Sequence, residues 1–217
     1  MAYILLFLAY IIGSIPFSYL FGKKFKNKDL RKHGSGNLGT TNAFRVLGSA
    51  IGIIVLILDI SKSGLLVLLV YHNPVIFGIE MFHPIFYGFA SVLGHVFPIW
   101  MKFKGGKGVA SSFGMIVVYA PWIGIPLIPF FLFITLISKY ISLASTSTAM
   151  VTSIIALILY FNSNVAIYDI EFLIIVIICS TIIFVKHKQN FIRIVQNNEN
   201  KTYLFKKVMK KKYDPQT

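Results

Sequence analysis

The chain has 217 residues, of which 56% are hydrophobic and only 13% charged, and its mean hydropathy is +0.76. A soluble domain of this size is nearer a quarter charged, so there is too little polar surface here for a water-facing globule, and 20 Phe residues exclude a solvated coil. Sixteen glycines without a period and one cysteine exclude collagen-like and disulfide-stapled chains, and the net charge of +14 makes the placement of the positive residues the next question.

Apolar runs divide the chain into helices expected at about 2–22, 47–71, 83–101, 108–122, 123–138, 146–162 and 170–186. Pro121, Pro126 and Pro129 crowd the fourth and fifth, which read as two short helices around a tight turn or as one kinked pair. The first run has no basic residues before it and several after it, so it reads as a retained span rather than a cleaved signal peptide. Cys179 lies in an apolar run and has no intramolecular partner. The expected fold class is all-α: a polytopic integral membrane protein of seven transmembrane helices over residues 1–186, followed by a basic segment, 187–217.

Charge sets the expected orientation. With seven spans, 20 of the 21 Lys and Arg residues fall on one side, and Lys62, inside a helix, is the exception. Glu80, Asp169 and Glu171 fall on the other. The positive-inside rule makes the basic side cytoplasmic, with the N-terminus outside and the C-terminus inside. Six spans would strand the basic tail on the wrong side. The tail, ending KKVMKKKYDPQT, reads most simply as attracted to anionic lipid head groups.

Four segments on the basic side carry polar chemistry. The first, DLRKHGSGNLGTTNAFRVLG, gathers Gly34, Gly36, Gly39 and Gly48, with Gly22 upstream, among Ser35, Asn37, Thr40, Thr41 and Asn42, and Arg45 follows. Glycines let backbone N–H groups approach a ligand, successive N–H groups form an anion nest, a helix N-terminus adds positive potential, and Arg adds a bidentate fork. The segment reads as a phosphate cradle. Its GxGxxG pattern is no dinucleotide fingerprint, because that needs a strand before it and a βαβ unit around it. The second, Lys104-Gly105-Gly106-Lys107-Gly108, sets two cations among three glycines and opens a helix; its spacing is not that of a Walker A loop. The third holds Lys139, Ser142 and Ser145, where a helix cap is the plain structural reading. The fourth places His187, Asn190 and Arg193 along one helical face, with Glu199 beyond; an amphipathic interfacial helix is its plain reading.

Within the spans, Asp59 and Lys62 are three apart and read as a structural ion pair. His95 either packs or faces the site, and His72 and His83 have no assigned role. Paired carboxylates for hydrolysis, metal-binding clusters and a nucleophile elbow are absent from the sequence. An excess of donors and cations suits a ligand with two phosphate groups or two phosphorylated ligands.

These residues also carry a resemblance. GSIPFSYL, GSGNLGTTNAFRVLG, GHVFPIWMKFKGGKGVA, SLAS and HKQN occur in the order seen in the bacterial acyl-phosphate:glycerol-3-phosphate acyltransferases of the PlsY type, and the likeness runs from Gly13 to Glu199. It implies a seven-helix membrane enzyme of the bacterial inner membrane with a cytoplasmic site. Such an enzyme moves an acyl group from acyl phosphate to the sn-1 hydroxyl of glycerol 3-phosphate, giving lysophosphatidic acid and phosphate. It implies no cofactor, no metal, no need for coenzyme A or acyl carrier protein, no nucleic acid, and action as a monomer. The implied catalytic residues are Ser35, Arg45, Lys104, His187 and Asn190. The implied phosphate-binding residues are Gly36, Asn37, Thr41, Asn42, Gly105, Gly106, Lys107, Gly108 and Ser142, to which Arg193 is added from its place on the helical face; the family's third motif falls on Ser142, His187, Asn190 and Glu199. One departure is Lys139, where the family usually has Arg; Lys keeps the charge and loses the fork. Acyl phosphate is already activated, so positioning and charge stabilisation suffice. The base is either His187 or a phosphate oxygen of the substrate. The rival class, a transporter for phosphorylated metabolites, would hold its ligand near the bilayer midplane, not in loops at one face.

Overall fold

In lipid every backbone N–H and C=O must find an internal partner, which favours helices throughout. The computed structural model describes residues 1–162 and 168–203. Its helices are α1 (Ala2–Gly13), α2 (Phe17–Lys26), α3 (Thr40–Leu47), α4 (Ser49–His72), α5 (Pro84–Val96), α6 (Val109–Tyr119), α7 (Pro121–Ser138), α8 (Ile141–Asn162), α9 (Ile170–Lys186) and α10 (Lys188–Val195). The expected all-α class needs one amendment: β1 (Val75–Ile76) and β2 (Ile79–Glu80) pair antiparallel. Phe77 (φ 51°) and Gly78 (φ 74°) turn this hairpin with positive φ at both central positions, which matches the right-handed twist of the strands.

Several expected helices break at identifiable residues. The first splits because Pro16 cannot donate a helical hydrogen bond; α1 stops at Gly13 and α2 starts at Phe17. The second begins earlier than hydropathy suggests, as the short polar α3, and Gly48 (φ 90°) separates it from α4. Among the described residues, five stretches are long and apolar enough to cross a bilayer: Ala2–Lys26, Ser49–His72, Pro84–Met101, Pro121–Ser138 and Ile141–Asn162. α9 qualifies together with α10 as a pair bent by 45°. The remaining apolar helix, α6, has 11 residues, a rise of about 17 Å, roughly half the hydrocarbon thickness. Of the seven spans expected from sequence, up to six are matched by helices long and apolar enough to cross, and the expected fourth is the short α6. The basic run from Lys206 to Lys212 lies outside the described residues.

Glycines set the helix spacing. A Cβ on Gly114 of α6 would sit 2.1 Å from the Ile60 carbonyl oxygen of α4, and one on Gly94 of α5 would sit 2.2 Å from the Tyr10 carbonyl oxygen of α1. Between these helices lies the main core, which includes Val67, Ile85, Val92, Met115, Tyr119, Phe172, Val176 and Cys179. Ser153 and Ser180 hydrogen-bond at 2.8 Å to hold α8 against α9. Outward positions carry large exposed apolar side chains, among them Ile57, Leu65, Phe133, Ile137, Ile158 and Ile174, as a lipid-facing surface requires. At the end of the bundle away from the glycine loops, His83 contacts Asp169 and Tyr119, each at 2.9 Å. It ties α5, α6 and α9, a structural role its sequence position did not suggest.

The close α4–α6 approach makes a specific demand. Gly114→Ala pushes a methyl group into backbone that cannot rotate away, an overpacking cost of about 1–3 kcal/mol. Thermal unfolding in detergent should show a Tm lowered by several degrees; an unchanged Tm would mean that the two helices do not pack at this spacing.

Candidate active site

The first glycine loop is shaped by its own chain. Gly34 (φ 61°) and Gly36 (φ 72°) occupy left-handed conformations that favour glycine. Asn42 reaches back from α3 into the loop: its Oδ1 accepts from the Ser35 amide at 3.0 Å, and its Nδ2 donates to the carbonyls of Leu30, His33 and Asn37 at 3.2, 3.1 and 3.0 Å. Its amide is thus committed to the loop, and Asn42 itself is buried. Ser18 donates to the Leu38 carbonyl at 2.8 Å and anchors the loop to α2. Asp29 accepts from the Arg31 amide and pairs with its guanidinium at 2.7 Å, which holds the carboxyl down at about 2. Ser35 and Gly36 are left exposed, while Asn37 and Thr41 are half-buried. The Asn37 Oδ1 is buried and has no hydrogen-bond partner among the described residues.

The second loop folds onto the end of α5. The Gly106 amide donates to the His95 carbonyl at 3.0 Å and the Gly105 amide to the Val96 carbonyl at 3.3 Å. A Cβ on Gly106 would lie 2.0 Å from His95 Nε2, so only glycine fits against the ring. Gly108 (φ 83°) then starts α6 in a left-handed conformation. Lys104 is exposed and forms no ion pair among the described residues. Lys107 turns inward and donates to Asn190 Oδ1 on α10.

The third and fourth segments meet on one carboxylate. Glu199, whose side chain is only 7% exposed, accepts from Asn190 Nδ2 at 2.6 Å, Arg193 Nε at 2.7 Å and Ser142 Oγ at 3.3 Å. Neither Ser142 nor Ser145 caps a helix, because Ser145 donates instead to the Ile141 carbonyl. The tail that carries Glu199 is fixed by the Thr202 amide, which donates to the Lys139 carbonyl at 2.7 Å. Lys139 Nζ lies over the Tyr203 ring, 5.6 Å from its centroid. The position where Arg was expected therefore holds the tail in place.

These contacts give the site its electrostatics. Burial pulls the Lys107 ammonium down to about 8; Glu199 opposes the shift, and Arg193 and Arg45 reinforce it. The same interactions place Arg45 within the field of Glu199 and Arg193. His187 is buried at the end of α9, and its Nδ1 lies 2.8 Å from the Ile183 carbonyl, so Nδ1 donates and Nε2 is left as an acceptor. Burial, then the Lys107 charge, pulls its pKa down to about 4.

Of the residues expected from sequence, Arg45, Lys107, Ser142, His187, Asn190 and Arg193 gather around Glu199. Ser35, Gly36, Asn37 and Thr41 line the first loop; Gly105, Gly106 and Gly108 shape the second. Lys104 stands apart, and Asn42 serves the loop from inside. Glu199, which the resemblance placed in the third motif without a role, is the hub.

The model of a family described as glycerol-3-phosphate acyltransferase matches residues 3–197. A curated glycerol-3-phosphate acyltransferase from Enterococcus faecalis is 42% identical over 200 residues, covering 91% of this chain and 90% of that protein. One from Bacillus cereus, named glycerol-3-phosphate acyltransferase 2, is 41% identical over 205 residues, covering 94% and 97%. The chain belongs to the glycerol-3-phosphate acyltransferase family. A crystal structure of PlsY (YgiH), an integral membrane glycerol 3-phosphate acyltransferase in its glycerol 3-phosphate form, superposes with a TM-score of 0.82 at 33% identity, covering 95% of this chain and 98% of that one. The lysophosphatidic acid form of the same protein gives a TM-score of 0.80 at 32% identity. This family member is thus a multi-pass membrane protein and an acyltransferase, with PlsY as its structural likeness.

Lys107 supplies the titration to follow. Its positive charge is full well below pH 8 and is lost as pH rises through that value. Binding of inorganic phosphate to the purified protein should weaken as pH rises through about 8, and Lys107→Arg should remove that fall because guanidinium stays charged. An identical pH profile for the two proteins would place the phosphate away from Lys107.

Proposed function

We propose that this acyltransferase uses acyl phosphate as donor and the sn-1 hydroxyl of glycerol 3-phosphate as acceptor, and releases lysophosphatidic acid and inorganic phosphate for phospholipid synthesis. The observation that carries the reading is the convergence of Lys107, Asn190, Arg193 and Ser142 with Arg45 around the single carboxylate of Glu199. Donors and cations exceed acids there, as a site for two phosphorylated substrates requires.

The glycine loops offer phosphate the backbone at Asn37, Thr41 and Gly108; Gly36, Gly105 and Gly106 shape the two loops, since their amides already donate to the His33, Val96 and His95 carbonyls, and Asn42 holds the first loop open. Lys107, Arg45 and Arg193 balance phosphate charge. Ser35, Ser142 and Lys104 contact the acyl phosphate, with Lys104 swinging in from the surface. Asn190 and His187 orient glycerol 3-phosphate. The glycerol oxygen attacks the acyl carbon, the bond from that carbon to the phosphate oxygen breaks, and phosphate leaves. A histidine whose pKa lies near 4 is a weak base at neutral pH. The proton therefore passes to a phosphate oxygen of the substrate, and His187 Nε2 accepts a hydrogen bond that positions the acceptor.

The acyl chain lies among the apolar helices. The seven spans, with α6 as the short one, put the N-terminus outside and the C-terminus inside, so the site faces the cytoplasm across the bacterial inner membrane. The enzyme acts as a monomer, without cofactor, metal, coenzyme A or acyl carrier protein.

Purified protein in detergent, given acyl phosphate and labelled glycerol 3-phosphate, should form lysophosphatidic acid with no thioester present. Turnover only with a thioester donor would overturn the donor assignment. His187→Ala should keep at least about a tenth of kcat, whereas removing a true general base costs roughly 10²–10⁴-fold; a loss in that range would make His187 the base.

A further inference from the structure

Three ionisable side chains are buried together between the two glycine loops, and among the described residues none of them touches the site around Glu199. Lys62 Nζ lies 2.9 Å from Asp59 Oδ1 and 2.8 Å from His95 Nδ1, and Asp59 Oδ1 lies 3.4 Å from the same ring nitrogen. Asp59 and Lys62 side chains are each 2% exposed. Such a cluster in an apolar bundle is costly and calls for a reason beyond packing.

The contacts of the cluster supply one. The second carboxylate oxygen of Asp59 accepts from Thr40 Oγ1 at 3.1 Å, and Thr40 is the first residue of α3, directly after the first glycine loop. Lys62 donates to the Ile15 carbonyl at 3.4 Å, in the break between α1 and α2. His95 meets the second loop twice: its carbonyl accepts from the Gly106 amide, and its Nε2 is where a Cβ of Gly106 would fall. One chain of contacts thus runs from Thr40 through Asp59, Lys62 and His95 to Gly106. The cavity beside it, lined by Leu38, Asp59, His95, Pro98 and Gly106 among others, has a volume of about 10 Å³. That is room for at most about one water and for no substrate.

We infer that Asp59, Lys62 and His95 are positioning residues that lock the two glycine loops into one register, so that binding at either loop depends on the other. The inference rests on the proposed reaction. It adds that the buried charges act through loop geometry and never on the reacting atoms. A network of paired charges suits this task, because it has few alternative arrangements, whereas apolar side chains of similar size can slide.

The first variant is Asp59→Asn/Lys62→Met, which removes both charges at once and leaves neither unpaired. It should insert and unfold cooperatively like the native protein. Its KM values for glycerol 3-phosphate and acyl phosphate should each rise by at least about fivefold, with kcat at saturation within about threefold. The second measurement is a double-mutant cycle between Thr40→Val and Gly106→Ala on kcat/KM. On the native background their effects should fail to multiply, by at least about threefold; on the Asp59→Asn/Lys62→Met background they should multiply independently. Unchanged KM values in the folded double variant would overturn the inference. So would independent effects on both backgrounds, or a loss confined to kcat. Native protein that makes no lysophosphatidic acid from acyl phosphate would instead refute the reaction on which the inference rests, a result read before any variant is made.

Discussion

An apolar bundle can carry a cationic site only if every charge drawn out of water has a partner at hydrogen-bond distance. That constraint governs this molecule at two places. At the site, Glu199 answers Arg193, Asn190 and Ser142 and tempers Lys107 and Arg45. Deeper in the bundle, Asp59 answers Lys62 and His95. Remove either carboxylate and several donors are left desolvated without an acceptor, which costs more than the original pair contributes. The fold is arranged around supplying these partners: α3 turns to present Thr40 and Asn42, α5 ends so that its carbonyls receive the second loop, and the chain beyond α10 doubles back with Glu199.

The same arrangement suits the proposed transfer, which needs no covalent intermediate. A site with cations and amides already in place meets developing charge without reorganising, and that preorganisation is the largest contribution available to an enzyme with no strong base. His187 fits this pattern. Its buried, neutral ring offers Nε2 as an acceptor and is poorly suited to carrying a proton at neutral pH. The glycines fit it too, since Gly105 and Gly106 allow no side chain between the loop and α5.

Much of this was legible in the sequence, and what was missed has physical causes. The two glycine-rich basic loops and the Asp59–Lys62 pair follow from local spacing, and the pair forms as that spacing suggests; of the expected His187–Asn190–Arg193 face, Asn190 and Arg193 lie on α10, whereas His187 sits at the bend before it. The break at Pro16 escaped because hydropathy averages over a window, whereas one missing N–H acts at one residue. α6 looked like a full span because the apolar run continues through Ala120 and Pro121 into α7. Asn42 could not be told from a ligand donor, since the same amide beside a glycine turn can staple the loop or bind an anion. Glu199 was seen but not ranked, because its contact with Ser142 spans 57 residues and depends on the tail folding back. The link from Thr40 to Gly106 was invisible for the same reason: no local pattern joins α3, α4 and α5.

The central claim is that all the anion-binding segments open at one face of the membrane. Single cysteines placed in a Cys179→Ala background at Ser35, Lys104 and Asn198, with Phe77 in the hairpin as the opposite-face reference, test it directly in intact cells. A membrane-impermeant thiol reagent should reach only the Phe77→Cys protein from outside, and the other three should react only after the cells are opened. Reaction of any of those three from outside would split the loops between two compartments and contradict a shared reaction centre.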